Sequence, residues 1–528
     1  MTARDETNGR ASYSRRGFLA RAGSGAGAVA LSGGVGGAFA PRAQAVRGAT
    51  PAQSPTTFGR LFPRLPAFAP ATQRVKDALR ALGARGGPLD AKDDLGKGPR
   101  LLITDPALSA NNPNNPTHTA GTTFLGQFID HDITFDTTSP MGVPTDPASS
   151  PNSRTPSLDL DSVYGAGPVA SPLLYDSVDR AKLRIATGGI FEDLPRTTDG
   201  TNTAVIADPR NDENLIIAGF QCAFILFHNQ AVDWARANGY SDAAFAQARQ
   251  LTTWHYHWIV QHEFLPQVVG KAVVDEVLKK GRRVFRPRLG EGFIPVEFQA
   301  AAYPFGHSMV RPSYRANLES DGGSPFFAMV FDPAGEGEAD PVDLRGGARA
   351  PRRFIGRQTF FDFGDGEVKP NKRIDTKIST PLFDLPLGAI ASHDPPQSLP
   401  QRNLLRQLTW SLPSGQDVAR AMGIKKLTPG DLRELKPYGF EKSTPLWYYV
   451  LREAELRSGG LTLGQVGGRI VAEVLIGLLQ ADPKSFLSRQ PGWTPTLTAA
   501  GRSFRMTDFL TFAGVDPASR HASNPDRA

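Results

Sequence analysis

Cysteine is almost missing from the 528-residue sequence: Cys222 is the only one. A single thiol excludes an internal disulfide framework and any zinc or iron–sulfur site built from several thiolates. Long apolar runs are also missing. The longest, Leu215 to Phe227, has 13 residues and is interrupted by Gln221, against the roughly 20 needed to span a bilayer. An excess of one charge is missing too, with 59 Lys and Arg against 52 Asp and Glu. What is plentiful is glycine (54) and proline (44), so long connecting segments are expected within an otherwise ordinary globular composition of 40% hydrophobic and 21% charged residues.

The first 45 residues read as a targeting segment. Ser14-Arg15-Arg16-Gly17-Phe18-Leu19 carries a twin arginine, and a Gly/Ala-rich apolar run follows from Ala22 to Ala40. Ala38-Phe39-Ala40 and Ala43-Gln44-Ala45 are small-x-small cleavage candidates. That order predicts a bacterial twin-arginine signal and a periplasmic or extracellular protein. Residues 1–45 hold six arginines and two acids, so they carry +4 of the formal +7 and leave +3. The remainder is too weakly basic to suggest a nucleic-acid partner. Residues 46–515 are expected to form one large body. Its start, 46–70, is Pro-rich with Phe58, Phe62 and Phe68, an extended arm laid on the surface. Residues 516–528 are polar and expected to be disordered.

Within the body the periodicity is helical and strand signals are few. Apolar spacing predicts helices over 121–135, 212–238, 241–265 (ending before Pro266), 297–311, 398–425 and 444–480, with loops at 105–120 and 137–157. Four stretches combine chemistry with this pattern. In GQFIDHDITFD, residues 126–136, Gln127 and His131 are one helical turn apart, a plausible acid–base pair, and Asp130 and Asp132 flank them. In RTPSLDLDSVYG, residues 154–165, Thr155, Ser157, Asp159 and Asp161 alternate. An extended loop would turn their oxygens to one side, a hard cage suited to Ca²⁺, although an Asx-type turn explains the pattern equally well. In DPRNDEN, 208–214, Arg210 stands near a helix N-terminus, where a cation needs an anionic partner; Asp208 or Asp212 in a surface ion pair is the plain answer. In EFQAAAYPFGHSMVRPSY, 297–314, His307 follows Gly306, small enough to admit a flat cofactor, and the plain alternative is a hydrogen-bonded core histidine. The histidines of WHYHWIVQHE, 254–263, read as helix packing, since His257 is off the face shared by His255 and His262.

Taken in order, GQFIDHDITFD, TPSLDLDSVYG, DPRNDENL with FHN, YPFGHSMV and QRNLLR resemble the animal-type haem peroxidase superfamily. The resemblance implies a large, mainly α-helical, single-domain fold with long loops and little β, and a haem b cofactor. It implies that His131, Gln127 and Arg210 form the peroxide side of the pocket. It makes His307 the iron ligand, Asn403 the acceptor for that ligand's other ring nitrogen, and Arg406 the partner of a haem propionate. Asp130 and Glu213 match the carboxylates that form ester links to haem in mammalian members. Asp132, Thr155, Ser157, Asp159 and Asp161 match the calcium site. The implied activity is reduction of H₂O₂ with oxidation of a halide, phenol or other small donor; a fatty-acid dioxygenase on the same scaffold is the alternative.

Three departures stand out. Asn214 replaces the methionine that makes a sulfonium link to haem in myeloperoxidase, so that link cannot form. Pro304 replaces the usual arginine three residues before the ligand. It also replaces the radical tyrosine of the dioxygenase branch, and Tyr303 is one residue off that register, about 100° away on a regular helix. Residues 1–45 apart, no membrane span and no nucleic-acid partner are expected; oligomeric state is not legible.

Overall fold

The computed structural model describes residues 56–187, 191–318, 324–350, 352–390 and 392–522. The chain divides into two units, Met1–Phe39 and Ala40–Ala528. The twin-arginine segment, both candidate cleavage sites and residues 46–55 lie outside the described residues. The second unit is mainly helical, and its described residues contain three small sheets of two strands each. One of these pairs Asn114–Thr119 antiparallel to Pro370–Lys372, inside the stretch expected to be loop. Tertiary pairing there overrides the poor strand propensity of Asn and Pro.

The expected long helix is Leu215–Ala237, and it begins later than Asp212 and Glu213 suggested. Pro209–Asp212 form a 3-10 turn. Asn214 then caps the helix, its Oδ1 accepting from the amides of Ile216 (3.1 Å) and Ile217 (2.9 Å). One side chain thus satisfies two of the donors a helix start leaves open. This helix is long and apolar enough to cross a membrane, but 83% of its apolar window is buried inside the protein. It packs against Ala244–Ile259.

That second helix does not stop before Pro266. It passes through a π turn, Val260–Phe264, into Leu265–Val269. Pro266 sits in the first turn of the last piece, where its missing N–H matters least. The histidines here are packing residues, as expected. His255 Nδ1 lies 2.7 Å from the Leu251 carbonyl and His257 Nε2 2.7 Å from that of Leu158.

The helix expected over 297–311 is three pieces: a π turn Phe298–Ala302, a 3-10 turn Tyr303–Phe305 and a short α-helix Gly306–Met309. Pro304 explains the break. In a regular helix its N–H would donate to Ala300 O, and proline has none. Gln407 Nε2 donates to that carbonyl instead, at 2.7 Å, and Trp447 Nε1 donates to Pro304 O at 3.1 Å. Gln407 belongs to Leu399–Thr409, whose N-cap is Ser398. Gly415–Ala421, Leu446–Ser458 and Gln465–Ala481 fill the remaining helical regions expected from the sequence.

The arm behaves as expected: Phe58 and Phe68 are buried, and Phe58 packs against Trp410 at 5.6 Å between ring centres. The tail is a correction. Residues 517–522, expected to be disordered, form a helix, Pro517–Ala522. Its anchor is Arg520, which donates to Ile355 O and Glu192 and lies 4.8 Å over the Phe191 ring. A composition that is polar overall hid one buried contact. Residues 523–528 lie outside the described residues.

Candidate active site

Gln127, Asp130, His131, Arg210, Glu213, His307, Asn403 and Arg406 all line one cavity of about 340 Å³. Three of them come from the helix Ala120–Ile133, Arg210 and Glu213 from the 209–214 turn, His307 from the broken segment and two from Leu399–Thr409. Apolar residues complete the wall, among them Phe124, Phe264, Val310 and Leu385.

His131 is buried. Burial, and then the charge of Arg210, lower its pKa to about 3, so the ring is neutral at pH 7 and keeps one lone pair. Its Nδ1 lies 2.9 Å from Asn211 Oδ1. An amide oxygen only accepts, so Nδ1 carries the proton and Nε2 the lone pair. Nε2 is 3.7 Å from Glu213 Oε1. Burial raises the Glu213 carboxyl to about 8, against the pull of Arg210, and Gln127 Nε2 donates to it. Asp130 is likewise raised to about 6 by burial, opposed by Arg210.

Arg210 does have an anionic partner, and it is not on the surface. Asp208 is fully buried and takes Arg210 Nε at 3.0 Å and an Nη at 2.7 Å. The same Nη donates to His131 O at 2.9 Å, and the guanidinium lies 4.2 Å over the Phe135 ring. Burial alone would raise Asp208; Arg210 and Arg154 outweigh it and hold the carboxyl well below its ordinary value. Asp212, the other candidate partner, pairs with Arg196.

His307 is lowered to about 4 by burial, with Asn403 opposing. Its Nδ1 is 2.7 Å from Nδ2 of Asn403, an amide whose nitrogen and oxygen can exchange places by a half-turn. With that amide turned to present Oδ1, Nδ1–H donates and Nε2 keeps a lone pair. A Cβ at Gly306 would meet nothing within 4 Å, so there is open space beside the ring. Tyr303 lines the same cavity, contrary to the regular-helix projection, and its hydroxyl donates to Gly126 O at 2.9 Å. The π and 3-10 turns shift the register that the projection assumed. Arg406 lines the cavity and also pairs with Asp136 at 2.9 Å.

The second cluster adjoins this cavity through the 130–132 run. Asp132, Asp159 and Asp161 each offer an oxygen within 4.8 Å of the others. The loop does not alternate as an extended strand would. Leu160 turns at φ 59° and Asp161 opens a short helix, Asp161–Tyr164. Leu160 N and Ser162 Oγ donate to Asp132 at 3.3 and 3.0 Å. Thr155 donates to Asp161 from N and Oγ1, each at 3.0 Å. The Ser157 hydroxyl turns to Asp482 instead, at 3.1 Å. Burial first, then mutual repulsion, raises Asp132 and Asp159, the latter to about 7. Crowded hard oxygens of this kind, those of Asp132 buried and those of Asp159 and Asp161 half-buried, suit a divalent cation. Arg154 links the two clusters, 3.2 Å from Asp161 and 3.4 Å from Asp208.

Four residues were not foreseen: Asp208 as a buried counter-ion, Gln407 as the clamp on Ala300, and the buried amides Asn211 and Gln221. Only Gln221 left a signal, as the polar break in an apolar run.

Residues 139–334 match the family model described as animal haem peroxidase. No curated protein sequence matches the chain. Among solved structures, peroxidase A from Dictyostelium discoideum superposes with TM-score 0.59 at 15% identity, covering 87% of this chain and 93% of that one. Two structures of an Oryza sativa fatty acid alpha-dioxygenase, both 14% identical, give TM-scores of 0.54 (83% of this chain, 81% of that) and 0.51 (81% and 80%). The structure with TM-score 0.54 contains palmitic acid. At these identities the superpositions speak for the fold.

Proposed function

We propose that the cavity between His131 and His307 reduces peroxide at a haem, a reading supported by the match of residues 139–334 to the animal haem peroxidase family model. The carrying observation is a pair of neutral imidazoles lining one cavity, His131 buried and His307 half-buried, each with Nδ1 beside a buried asparagine. The residues present fit the group. With the Asn403 amide turned, His307 Nε2 carries a lone pair toward the cavity, Gly306 leaves open space next to it, and Phe124, Phe264, Val310, Leu385, Arg402 and Arg406 are among the lining residues. When bound, haem supplies the iron that accepts oxygen from peroxide and the two oxidising equivalents passed on to the donor.

His307 would hold the iron, made more basic by Asn403. His131 Nε2 takes the proton from one peroxide oxygen and returns it to the other, which leaves as water. Arg210, fixed by Asp208, places a positive charge where the O–O bond polarises, with no protonation change. Gln127 is tied to Glu213 and orients small ligands beside them. Asp130 and Glu213 stand at the cavity wall as the sites for ester attachment; mass spectrometry of acid-extracted protein reads attachment directly. Asp132, Asp159 and Asp161, with Thr155 beside them, would hold Ca²⁺.

His307→Ala should abolish or strongly shift the Soret band; unchanged haem binding would sink that assignment. His131→Ala should keep haem and slow peroxide reduction by about 10²–10⁴. A near-parental rate would remove His131 from the mechanism. Export by the twin-arginine route belongs to the same reading and rests on Arg15, Arg16 and the apolar run after them. A secreted protein that still begins at Met1 would overturn it.

One observation favours the dioxygenase alternative: Tyr303 lines the cavity. Oxygen uptake with an unsaturated fatty acid, lost in Tyr303→Phe, would establish it. Good turnover of guaiacol or bromide without such uptake would reject it.

A further inference from the structure

Gln221 is wholly buried in the most apolar helix of the protein, and Asn211 is wholly buried in the turn before it. Two amides in such a place are unfavourable unless they are paired. They pair with each other and with one further group. Asn211 Nδ2 donates to Gln221 Oε1 at 2.8 Å, and Asn211 Oδ1 faces His131 Nδ1 at 2.9 Å. The far end of the chain is left open, because Gln221 Nε2 is buried without a partner. A unit kept for stability alone would close that end, since an unmet buried donor is destabilising.

We infer that Asn211 and Gln221 are positioning residues that hold His131 in the tautomer with its proton on Nδ1, so that Nε2 presents a lone pair to the cavity. A neutral imidazole has two tautomers, and only this one accepts a proton on the cavity side. Asn211 selects it, because an oxygen facing Nδ1 repels the other form. Gln221 fixes which end of the Asn211 amide faces the ring, because its own oxygen holds the Asn211 NH₂. Neither side chain lines the cavity, so both act through His131. The inference rests on His131 as the proton acceptor.

The test uses the haem-loaded, full-length protein. Asn211→Leu and Gln221→Leu are expected to keep the haem absorption close to parental and to lower the melting temperature, because each single replacement leaves a buried polar partner without its hydrogen bond. Both should slow the bimolecular reaction with H₂O₂ by about ten- to a hundredfold. Asn211→Asp keeps an acceptor for Nδ1–H and should restore most of the rate. Nitrogen NMR of isotope-labelled histidine in the ferrous CO-bound protein, assigned with His131→Gln, should show a proton on Nδ1 of the parent. In Asn211→Leu that signal should become a mixture of tautomers. Parental rates in both leucine variants, or a parent carrying its proton on Nε2, would overturn the inference. A His131→Ala protein that reacts at the parental rate would instead sink the reading beneath it. Should Asn211→Leu fail to fold, Gln221→Leu carries the same test: a lower melting temperature with an unchanged rate would mark the relay as merely structural.

Discussion

Asp208 is the residue on which the charges of the site converge. It is fully buried and lies against both Arg210 and Arg154. A buried ion pair has little net worth beside an apolar replacement, but removing one partner leaves the other charge uncompensated. Asp208→Asn should therefore destabilise the protein by about 3–5 kcal/mol and slow peroxide reduction as Arg210 loses its fixed position. Urea melts and stopped-flow rates measure the two effects. A variant with parental stability would show that solvent or another carboxylate replaces Asp208. The sequence placed Arg210 correctly but took its partner for a surface contact, because burial of a carboxylate is a tertiary property that DPRNDEN alone does not carry. His131 and His307 were legible for the opposite reason: each sits in a short stretch framed by large apolar residues, Phe128, Ile129 and Ile133 around one and Phe305, Met309 and Val310 around the other.

Elements were legible where the pattern was regular and misread where a proline or a single cap intervened. Helix 215–237 was found and its start misplaced, because Asn214 outcompetes the acidic residues before it. The segment 297–311 was read as one helix, and Tyr303 was turned away by that assumption. Pro304→Ala gives residue 304 an N–H that competes with Gln407 for Ala300 O. It should favour a regular helix, keep or raise the melting temperature and weaken haem binding by about ten- to a hundredfold, the range for disturbed ligand support. Haem titration against thermal melts measures both, and parental affinity would show that the break is incidental to the site. Helix 465–481 permits a pH test. Glu453 caps it, accepting from Val466 N at 2.9 Å, and burial raises the carboxyl to about 7. A folded-state value above the unfolded one of 4.5 means the folded protein holds the proton more tightly. This contribution is fully present below pH 4.5 and is lost as pH rises through 7. Glu453→Gln should flatten the melting temperature across that window and raise it at pH 8. An unchanged pH profile would assign the titration to another group.

At the scale of the molecule, the acidic cluster and the cavity share one run, Asp130-His131-Asp132, and one bridge, Arg154. Holding a cation at Asp132, Asp159 and Asp161 relieves the repulsion between them. A strong chelator should thus lower the melting temperature by several degrees, and Ca²⁺ should restore it; binding at a hundred times Kd adds about 2.7 kcal/mol. Identical melts with chelator and with Ca²⁺, and no metal by elemental analysis, would dismiss the site. The fold class was legible from helical periodicity and five ordered motifs. The anchoring of 517–522 by Arg520 was not, because one buried arginine in a polar tail leaves no periodic trace.

The grip on His307 is the last part of the site to be synthesised. Residues 127–131, 210–214 and 303–307 leave the ribosome well before Leu399–Thr409, which brings both Asn403 and the Gln407 clamp on the proline break. Until that helix docks, a nascent chain holds two imidazoles with no frame for the second. Contacts so distant in sequence close late. Asn403 therefore reaches His307 only once the helix 399–409 has been made and has docked.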